Sequence, residues 1–462
     1  MYQPHQHVHF VGIGGIGMCG IAEVLINLGH QVTGSDLRES DITRRLVSLG
    51  AAVQIGHHPD HVAGADVVVI SSAVATDNPE VVAARDRLIP VIKRAEMLGE
   101  LMRLKYGVAV AGAHGKTTAT SMVATLLAEG GLDPTVVVGG KLNTLGTGAR
   151  LGQGEFLVAE ADESDGSFTR LSPVVVMVTN VDTEHLDYYQ TDQAIDEAFV
   201  EFMNLVPFYG AAVICLDDPR LAGLIARVRR RTITYGTTSQ ADFQARDIRA
   251  DGAASLFRLF YRGQEQGRVR VNMPGRHNVL NALGSIAVAH ELGVDLAVAI
   301  GACQRYAGVG RRFEYKGTTA GGVPVVDDYA HHPTEIKATL EAARQVYPES
   351  RLVVCFQPHR YSRTAHLFDE FTTAFYGADE LLVLDIYAAG EKKDPAVSAE
   401  TLAEAIRAHG HRAVQYLGDR LAAQARLTKT LGPGDVLLTM GAGDAWKVGQ
   451  YMVRRQEGEG ER

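Results

Sequence analysis

The chain has 462 residues, of which 46% are hydrophobic and 21% charged, and its formal net charge is −9. A typical domain size of about 150 residues predicts three domains. The negative charge disfavours nucleic acid and anionic membranes as partners, and no apolar run is long enough to span a bilayer. We therefore expect a cytoplasmic protein that binds neither. We also expect it to be a monomer or a weak homodimer.

Short apolar runs alternate with amphipathic stretches from end to end, which predicts an α/β fold with parallel sheets flanked by helices. The first unit runs from HVHFVGI to the helical stretch RAEMLGELMRL, so the first domain is predicted to span residues 1–104. A second unit closes after a helix at 279–292, which predicts a domain of residues 105–310. A third alternation predicts a last domain of residues 311–462.

A glycine loop follows the first predicted strand. Gly12, Gly14 and Gly17 fit G-x-G-x-x-G between a strand and a helix, and Asp36 follows 19 positions after Gly17, at the end of the next strand. This fingerprint is typical of dinucleotide binding. Because a helix amino terminus can face any pyrophosphate, the motif does not identify the nucleoside.

Three histidines, His5, His7 and His9, precede this loop. They alternate along one face of the first predicted strand. We assign them no function.

The segment YGVAVAGAHGKTTATSMVATLL, residues 106–127, joins a strand, a glycine loop and a helix. Its loop amides, helix dipole and Lys116 charge would bind phosphates, and Thr117 would ligate magnesium. Val110 stands where the first glycine of G-x-x-x-x-G-K-[ST] would fall, so the loop is a shortened variant. The residues predicted to bind the nucleotide here are Gly112, Ala113, His114, Gly115, Lys116, Thr117 and Thr118.

Acidic residues follow the next apolar run, in EFLVAEADESD. Carboxylates at the end of a strand beside a phosphate loop suit magnesium, and Glu160 is the best candidate because it is nearest the strand end. A solvated acidic loop is the alternative. His185, in TNVDTEHLD, follows another strand end, where it would be a second metal ligand, a phosphate contact or a surface residue.

Further polar candidates occur later in the chain. Asn278 in PGRHNVLNA and Arg312 in GVGRRFE would reach a nucleotide at a domain junction, or serve as a cap and a surface charge. Arg360 and Arg363 in FQPHRYSRT have planar guanidinium groups that suit a carboxylate or a phosphate. A solvated face is equally consistent with either arginine.

Taken together, these motifs resemble those of the Mur ligase family over nearly the whole chain. They occur in the family's order: VGIGGIGM, SSAV, AGAHGKTT, EADESDGSF, TNVDTEHLD, PGRHNVLNA, GVGRRFE, DDYAHHPTE and FQPHRYSRT. The resemblance implies a Rossmann-like first domain that binds the UDP part of a sugar nucleotide. It also implies a central P-loop ATPase domain with a mostly parallel sheet, and a Rossmann-like last domain that binds an amino acid.

The resemblance further implies that ATP and Mg²⁺ are used to join L-alanine to UDP-N-acetylmuramate through an acyl phosphate. Lys116, Glu160 and His185 are the implied catalytic residues, and Thr117, Glu160 and His185 the implied metal ligands. The residues implied to bind the UDP-sugar are Gly12, Gly14, Gly15, Gly17, Asp36, Ser71 and Ser72. Those implied for the amino acid are Tyr329, His331, Arg360 and Arg363, while Asn278 and Arg312 join the ATP site.

The chain departs from the family pattern at Ala113, Ala119 and Ala330, none of which removes a required group. Later ligases of the pathway carry a carbamylated lysine in the stretch that reads DYYQTDQAIDEAFVEFM here, and its absence fits the alanine-adding member. A ligase that adds a recycled tripeptide to the same sugar remains an alternative, disfavoured by GIGGIGM in the first loop. A nicotinamide oxidoreductase or a GTPase-like switch would each explain only one glycine loop.

Overall fold

The computed structural model describes residues 6–71, 73–138 and 149–454. By compactness the chain divides into two units. The first comprises Met1–Asp247, Phe257–Arg270 and Val279–Val309, and the second comprises Ile248–Leu256, Val271–Asn278 and Gly310–Arg462. The described strands form three sheets, of five, ten and six strands. Among the described helices, none combines the length and apolar character that crossing a membrane requires.

The first sheet is built from alternating strands and helices at the start of the chain. They are β1 (His7–Val11), α1 (Ile16–Asn27), β2 (Gln31–Asp36), α2 (Asp41–Ser48), β3 (Ala52–Ile55), β4 (Val67–Ile70), α3 (Pro79–Asp86), β5 (Val91–Lys93) and α4 (Arg94–Leu104). The strands pair in parallel in the order β3-β2-β1-β4-β5. The chain changes direction across the sheet between β1 and β4, where sheets of this kind place ligand crevices.

The second sheet has ten strands, and the phosphate loop follows one of its interior strands. The elements are β6 (Tyr106–Ala111), α5 (Lys116–Glu129), β7 (Thr135–Val137), β8 (Ala149–Arg150), β9 (Phe156–Glu160), β10 (Pro173–Val178), α6 (Leu186–Tyr189), α7 (Asp192–Asn204), β11 (Ala211–Cys215), α8 (Pro219–Leu224), β12 (Thr232–Gly236), β13 (Phe243–Asp251), β14 (Ala254–Tyr261), β15 (Gln264–Val271), α9 (Arg276–Glu291) and α10 (Leu296–Arg305). The strand order is β15-β14-β13-β12-β11-β10-β6-β9-β7-β8. Strand β6 lies between β10 and β9 and is parallel to both, so the loops that follow all three strands meet at one edge.

The third sheet lies in the second compact unit. Its elements are β16 (Glu314–Thr318), β17 (Pro324–Asp328), α11 (Pro333–Val346), β18 (Arg351–Phe356), α12 (Tyr361–His366), α13 (Phe368–Thr372), β19 (Glu380–Leu384), α14 (Ala399–Ala408), β20 (Val414–Gly418), α15 (Arg420–Thr430), β21 (Asp435–Met440) and α16 (Trp446–Arg454). The order is β16-β17-β21-β18-β19-β20, and only the β16–β17 pair is antiparallel among these described strands.

Burial explains why the strands read as continuous apolar runs. In the third sheet, Val326 and Val354 pack into one hydrophobic cluster while their neighbours Val325 and Val353 pack into another. Strands covered on both faces need apolar residues at every position, as in a parallel sheet between two helical layers. The predicted α/β class with mostly parallel sheets is therefore confirmed.

Candidate functional site

The first glycine loop connects β1 to α1. The amides of Gly12 and Ile13 both donate to the carbonyl of Ser35, at 2.8 and 2.9 Å. The Gly14 amide donates to Asp36 Oδ2 at 2.9 Å, and a Cβ at Gly14 would lie 2.8 Å from that oxygen. Asp36, which was predicted to bind a ligand, holds the loop in place, which explains why position 14 needs glycine.

The other predicted UDP-sugar residues lie around this loop. Gly15 is the N-cap of α1, and as a glycine it has no side chain that could bond to the first amides of the helix. Ser71 follows β4, and its Oγ would lie 4.0 Å from a Cβ at Gly12. A Cβ at Gly17 would lie 3.0 Å from Cδ of Arg94, which the sequence analysis did not single out. Ser72 lies outside the described residues.

The phosphate loop connects β6 to α5, as predicted. Gly112 and Gly115 have φ angles of 138° and 81°, and a Cβ at Gly112 would lie 2.0 Å from Thr179 Oγ1. A Cβ at Gly115 would lie 2.8 Å from Oδ1 of Asn281 in α9. Both glycines are therefore required by backbone conformation and by close packing.

The segment after β10 holds the phosphate loop from the other side. Thr179 Oγ1 donates to the carbonyl of His114 at 2.6 Å, and Asn180 Oδ1 accepts from the His114 amide at 2.8 Å. The His114 ring contacts Asp182, with 2.9 Å between Nε2 and Oδ2. From the sequence, His185 was the one residue of this segment selected for the site. Its TNVD residues were missed because their role, holding a loop distant in sequence, depends on β6 pairing with β10.

Lys116 lies at the start of α5, with all three N–H donors engaged. Nζ donates to the carbonyl oxygens of Gly112 and Ala113, at 2.7 and 3.0 Å, and to Glu163 Oε1 at 2.8 Å. Burial alone would lower the pKa of Lys116, but the nearby carboxylates of Glu163 and Glu160 outweigh it and raise that pKa. The side chain is therefore a fixed cation inside the loop.

Two predicted metal ligands, Thr117 and Glu160, lie next to each other. Thr117 Oγ1 donates to Glu160 Oε2 at 3.0 Å. The arrangement brings a hydroxyl and a carboxylate together beside the phosphate loop, and both groups are oxygen ligands that suit Mg²⁺.

His185, the third predicted ligand, belongs to a second acidic group. Its Nε2 lies 3.8 Å from Glu163 Oε1 and 3.8 Å from Glu184 Oε2. The three side chains offer ligand atoms within 4.8 Å of one another. Glu163 is 3% exposed, and its Oε2 has no hydrogen-bond partner among the described residues. A buried carboxylate oxygen left in this state fits a cation, and Glu163 was considered in the sequence but not selected.

The remaining nucleotide candidates, Asn278 and Arg312, belong to the second compact unit. Asn278 is 2% exposed in the first turn of α9, where its Nδ2 donates to the Pro274 carbonyl at 2.8 Å. The Arg312 guanidinium lies 5.2 Å from the centre of the Tyr329 ring and 4.0 Å from Glu335 Oε1. Their predicted contacts with ATP remain predictions.

Three of the four amino-acid candidates form one cluster at the ends of β17 and β18. The rings of Tyr329 and His331 meet edge to face at 5.4 Å, and the His331 ring lies 6.0 Å from that of His359. Arg363 Nη1 lies 3.1 Å from His359 Nδ1. The fourth candidate, Arg360, is exposed and adopts a φ of 70° at the N-cap of α12.

Arg311, missed by the sequence analysis, connects this cluster to the end of β21. Its guanidinium donates to Asp327 Oδ2 at 2.9 Å and to the Gly441 carbonyl at 2.6 Å, and it lies 5.0 Å from the centre of the Tyr329 ring. The adjacent Arg312 was selected instead because a motif shows which residue types occur, whereas side-chain direction depends on the fold.

Comparison with known proteins decides the family. Three family models match consecutive segments: the Mur ligase family catalytic domain at residues 7–106, the Mur ligase middle domain at 110–289, and the Mur ligase glutamate ligase domain at 311–443. A relative from Geobacter sp. (strain M21), named UDP-N-acetylmuramate–L-alanine ligase, is 58% identical over 455 residues, which is 98% of each chain. This chain belongs to the Mur ligase family.

Solved structures of other Mur ligases share its fold. The UDP-N-acetylmuramate–alanine ligase from Thermotoga maritima matches with a TM-score of 0.83 at 30% identity, over 99% of this chain and 100% of that one. A murein peptide ligase from Psychrobacter arcticus matches with a TM-score of 0.70 at 25% identity, over 99% of this chain and 100% of that one. The predicted three-domain α/β fold of this Mur ligase is thereby confirmed.

Proposed function

We propose that this Mur ligase joins L-alanine to the carboxylate of UDP-N-acetylmuramate while ATP is converted to ADP and phosphate. The product is UDP-N-acetylmuramoyl-L-alanine, a peptidoglycan precursor. The observation that carries the proposal is a phosphate loop whose partly buried lysine cation lies beside Glu160 and Glu163, in a chain 58% identical to a relative named for this reaction. The ligase that adds a tripeptide is the second candidate, supported by the murein peptide ligase likeness at 25% identity.

We assign the substrates to the domains predicted from the sequence. Residues 1–104 bind the UDP-sugar through the first glycine loop, with Asp36 and Ser71 beside it. Residues 105–310 bind ATP, and residues 311–462 bind L-alanine. Because the guanidinium and ring nitrogens around Tyr329 and His331 can donate hydrogen bonds, this cluster suits the carboxylate of an amino acid.

Activation of the acid is the chemical problem that the site must solve. A carboxylate is a poor acyl donor because its oxygen is a poor leaving group, so the terminal phosphoryl of ATP is transferred to that oxygen and ADP departs. The amine of L-alanine then attacks the acyl carbon, the C–N bond forms, the amine loses a proton, and phosphate leaves. Lys116 and the loop amides stabilise charge on the transferred phosphoryl group.

The carboxylates beside the loop fit Mg²⁺. Thr117 and Glu160 would hold one ion, and His185 with Glu163 another or a shared one. When bound, the ion neutralises phosphate charge and polarises the transferred phosphoryl. To donate a hydrogen bond to a phosphate, Lys116 must give up one of its three present acceptors. Glu163 is the acceptor that can be released, because a metal ion can bind its carboxylate instead. Nucleotide and metal binding are therefore coupled through Glu163.

One assay tests the proposal. ADP release is measured with UDP-N-acetylmuramate plus L-alanine, glycine, L-serine or the tripeptide L-Ala-γ-D-Glu-meso-diaminopimelate, with each substrate omitted in turn. We expect L-alanine to give the highest kcat/KM. Absence of ADP release with both the sugar acid and L-alanine contradicts the proposal, and preference for the tripeptide supports the second candidate.

Lys116→Ala assigns the activity to the phosphate loop. We expect turnover to fall by at least about 100-fold, the scale of losing one charge-stabilising donor, with the Kd for UDP-N-acetylmuramate unchanged. The unchanged Kd serves as the control for folding. Near-normal turnover would show that another site carries the phosphoryl transfer.

A further inference from the structure

Two histidines that received no function from the sequence lie on a face of the first sheet with two hydroxyl residues. In the parallel pairing of β1 with β2, His9 is opposite Thr33 and Val11 is opposite Ser35. The two-residue alternation of strands therefore puts His7 and His9 on the same face as Thr33 and Ser35. His9 and Glu80 of α3 are both 0% exposed on this face.

Four hydrogen bonds run in a row from the Gly64 carbonyl through His7, Thr33 and His9 to Glu80. We call the four side chains of this row the histidine chain. His7 Nδ1 lies 2.8 Å from the Gly64 carbonyl oxygen, and His7 Nε2 lies 2.8 Å from Thr33 Oγ1. Thr33 Oγ1 lies 2.8 Å from His9 Nδ1, and His9 Nε2 lies 3.4 Å from Glu80 Oε2. Both ends of the row, a carbonyl and a carboxylate, accept hydrogen bonds and do not donate them.

The number of protons in this row determines its charge. Each of the four hydrogen bonds needs one proton. Two neutral imidazoles supply one proton each and the Thr33 hydroxyl supplies one, which makes three in all. We infer that His7 and His9 together hold one proton more than two neutral imidazoles, so that one of them is an imidazolium. Through Glu80 and Ser35, this proton positions the first glycine loop.

The ionised state of Glu80 supports the count. Oε2 accepts from Ser35 Oγ at 2.5 Å, and Oε1 accepts from His61 Nδ1 at 2.6 Å and from the His58 amide at 3.2 Å. Burial raises the pKa of Glu80, but hydrogen bonds from His9, Ser35 and His61 outweigh it and lower that pKa to about 2.

The extra proton also balances a buried charge. A fully buried carboxylate is costly unless a cation is near, and among the described residues no lysine or arginine forms an ion pair with Glu80. The other titratable groups that face the histidine chain are His57, with Nδ1 3.5 Å from Glu80 Oε2, His61, and Asp66, whose Oδ2 accepts from the His7 amide at 2.7 Å.

Ser35 connects the histidine chain to the glycine loop. Its hydroxyl donates to Glu80, and its carbonyl accepts from the amides of Gly12 and Ile13. A change at Glu80 therefore moves the residue that anchors the loop. This step rests on the proposed function, in which the loop binds the diphosphate of UDP-N-acetylmuramate. The four residues act as positioning residues.

Nitrogen NMR on the full chain labelled with [¹⁵N]histidine tests the protonation state directly. At pH 7.5 we expect one imidazolium among the ring signals, assigned by its loss in His7→Asn or His9→Asn. Thr33→Val removes two of the four hydrogen bonds, so two protons then suffice and the imidazolium signal should disappear. Thr33→Ser keeps the hydroxyl and should retain it. Neutral rings for both His7 and His9 in the wild type overturn the inference.

Binding measurements test the positioning role. For Thr33→Val we expect the Kd for UDP-N-acetylmuramate to rise about ten-fold, the scale of one buried hydrogen bond, with the Kd for ADP unchanged. Thr33→Ser should restore the wild-type Kd. If the wild type shows the imidazolium but Thr33→Val binds UDP-N-acetylmuramate with an unchanged Kd, the positioning role is overturned. Should Thr33→Val fail to fold, the wild-type and Thr33→Ser spectra still decide the protonation. A wild type that binds no UDP-N-acetylmuramate contradicts the proposed function instead.

Discussion

At the scale of single residues, hydrogen-bond donors determine the charge of neighbouring groups. Arg363 Nη1 faces the Nδ1 of His359 at 3.1 Å, and the His359 ring stacks on that of Tyr387 at 5.6 Å. A guanidinium only donates, so Nδ1 must keep its lone pair and the ring must be neutral. Burial, followed by His331 and the guanidinium groups of Arg363 and Arg360, lowers the pKa of His359 to about 3.

This low pKa predicts how stability depends on pH. The unfolded chain takes up a proton on His359 below about pH 6.5 while the folded chain does not, so stability is lost as pH falls from about 6.5 towards 3. The free energy of unfolding can fall by at most about 1.4 kcal/mol per pH unit through this one group. Because the ring is partly exposed, we expect the loss between pH 7.5 and 5 to be roughly 1 kcal/mol. His359→Gln should lose less stability than the wild type over this range, by that amount, in urea unfolding.

His409→Gln is the matched control for that prediction. His409 is exposed in the same compact unit, so its substitution should change the free energy of unfolding by no more than about 0.5 kcal/mol. Equal pH dependence in His359→Gln and the wild type would contradict the neutral state of His359 in the folded chain.

At the scale of elements, the turn between β6 and α5 is where glycine is indispensable. Gly112 has a φ of 138°, and a Cβ there would lie 2.0 Å from Thr179 Oγ1. Gly112→Ala should lower the free energy of unfolding by about 1–3 kcal/mol through strain and overpacking. The matched control is Gly223→Ala in α8, where a Cβ would meet no other side chain or distant backbone atom of the described residues within 4 Å. We expect this substitution to stabilise the fold by up to about 1 kcal/mol.

Urea unfolding of both variants measures the difference between them. If Gly112→Ala were as stable as Gly223→Ala, the packing of the loop against the segment after β10 would be wrong.

The elements also show what the sequence could predict. The strand that opens YGVAVAGAHGKTT was predicted from its apolar residues and is observed as β6, because buried parallel strands are apolar runs bounded by turns. Gly112, Gly115 and Lys116 were predicted from a local motif, since their roles follow from neighbours in sequence. Strands β13, β14 and β15 were not singled out, because charged residues recur along β13 and β15 and Arg258 interrupts the apolar run of β14.

Contacts between distant segments could not be predicted in the same way. Glu163 and Lys116 are 47 positions apart, and they meet because β6 pairs with β9. Likewise the histidine chain exists because β1 pairs with β2 in a register that places His9 opposite Thr33. Pattern reasoning found the residue types, whereas the sheet topology decides which of them touch.

At the scale of the whole molecule, the phosphate loop belongs to the first of two compact units, so a bound nucleotide stabilises that unit by mass action. With Mg²⁺ and ADP at 100 times its Kd, the gain is about 2.7 kcal/mol. For a unit of this size we expect Tm to rise by about 5 °C in differential scanning calorimetry.

Lys116→Ala should lose most of this rise because the Lys116 side chain supplies the cation of the loop. Lys429 is an exposed lysine of α15, and Lys429→Ala should keep the rise. UDP-N-acetylmuramate should still raise Tm in Lys116→Ala, which would show that the variant is folded. An equal ADP-dependent rise in Lys116→Ala and the wild type would place the nucleotide elsewhere in the molecule.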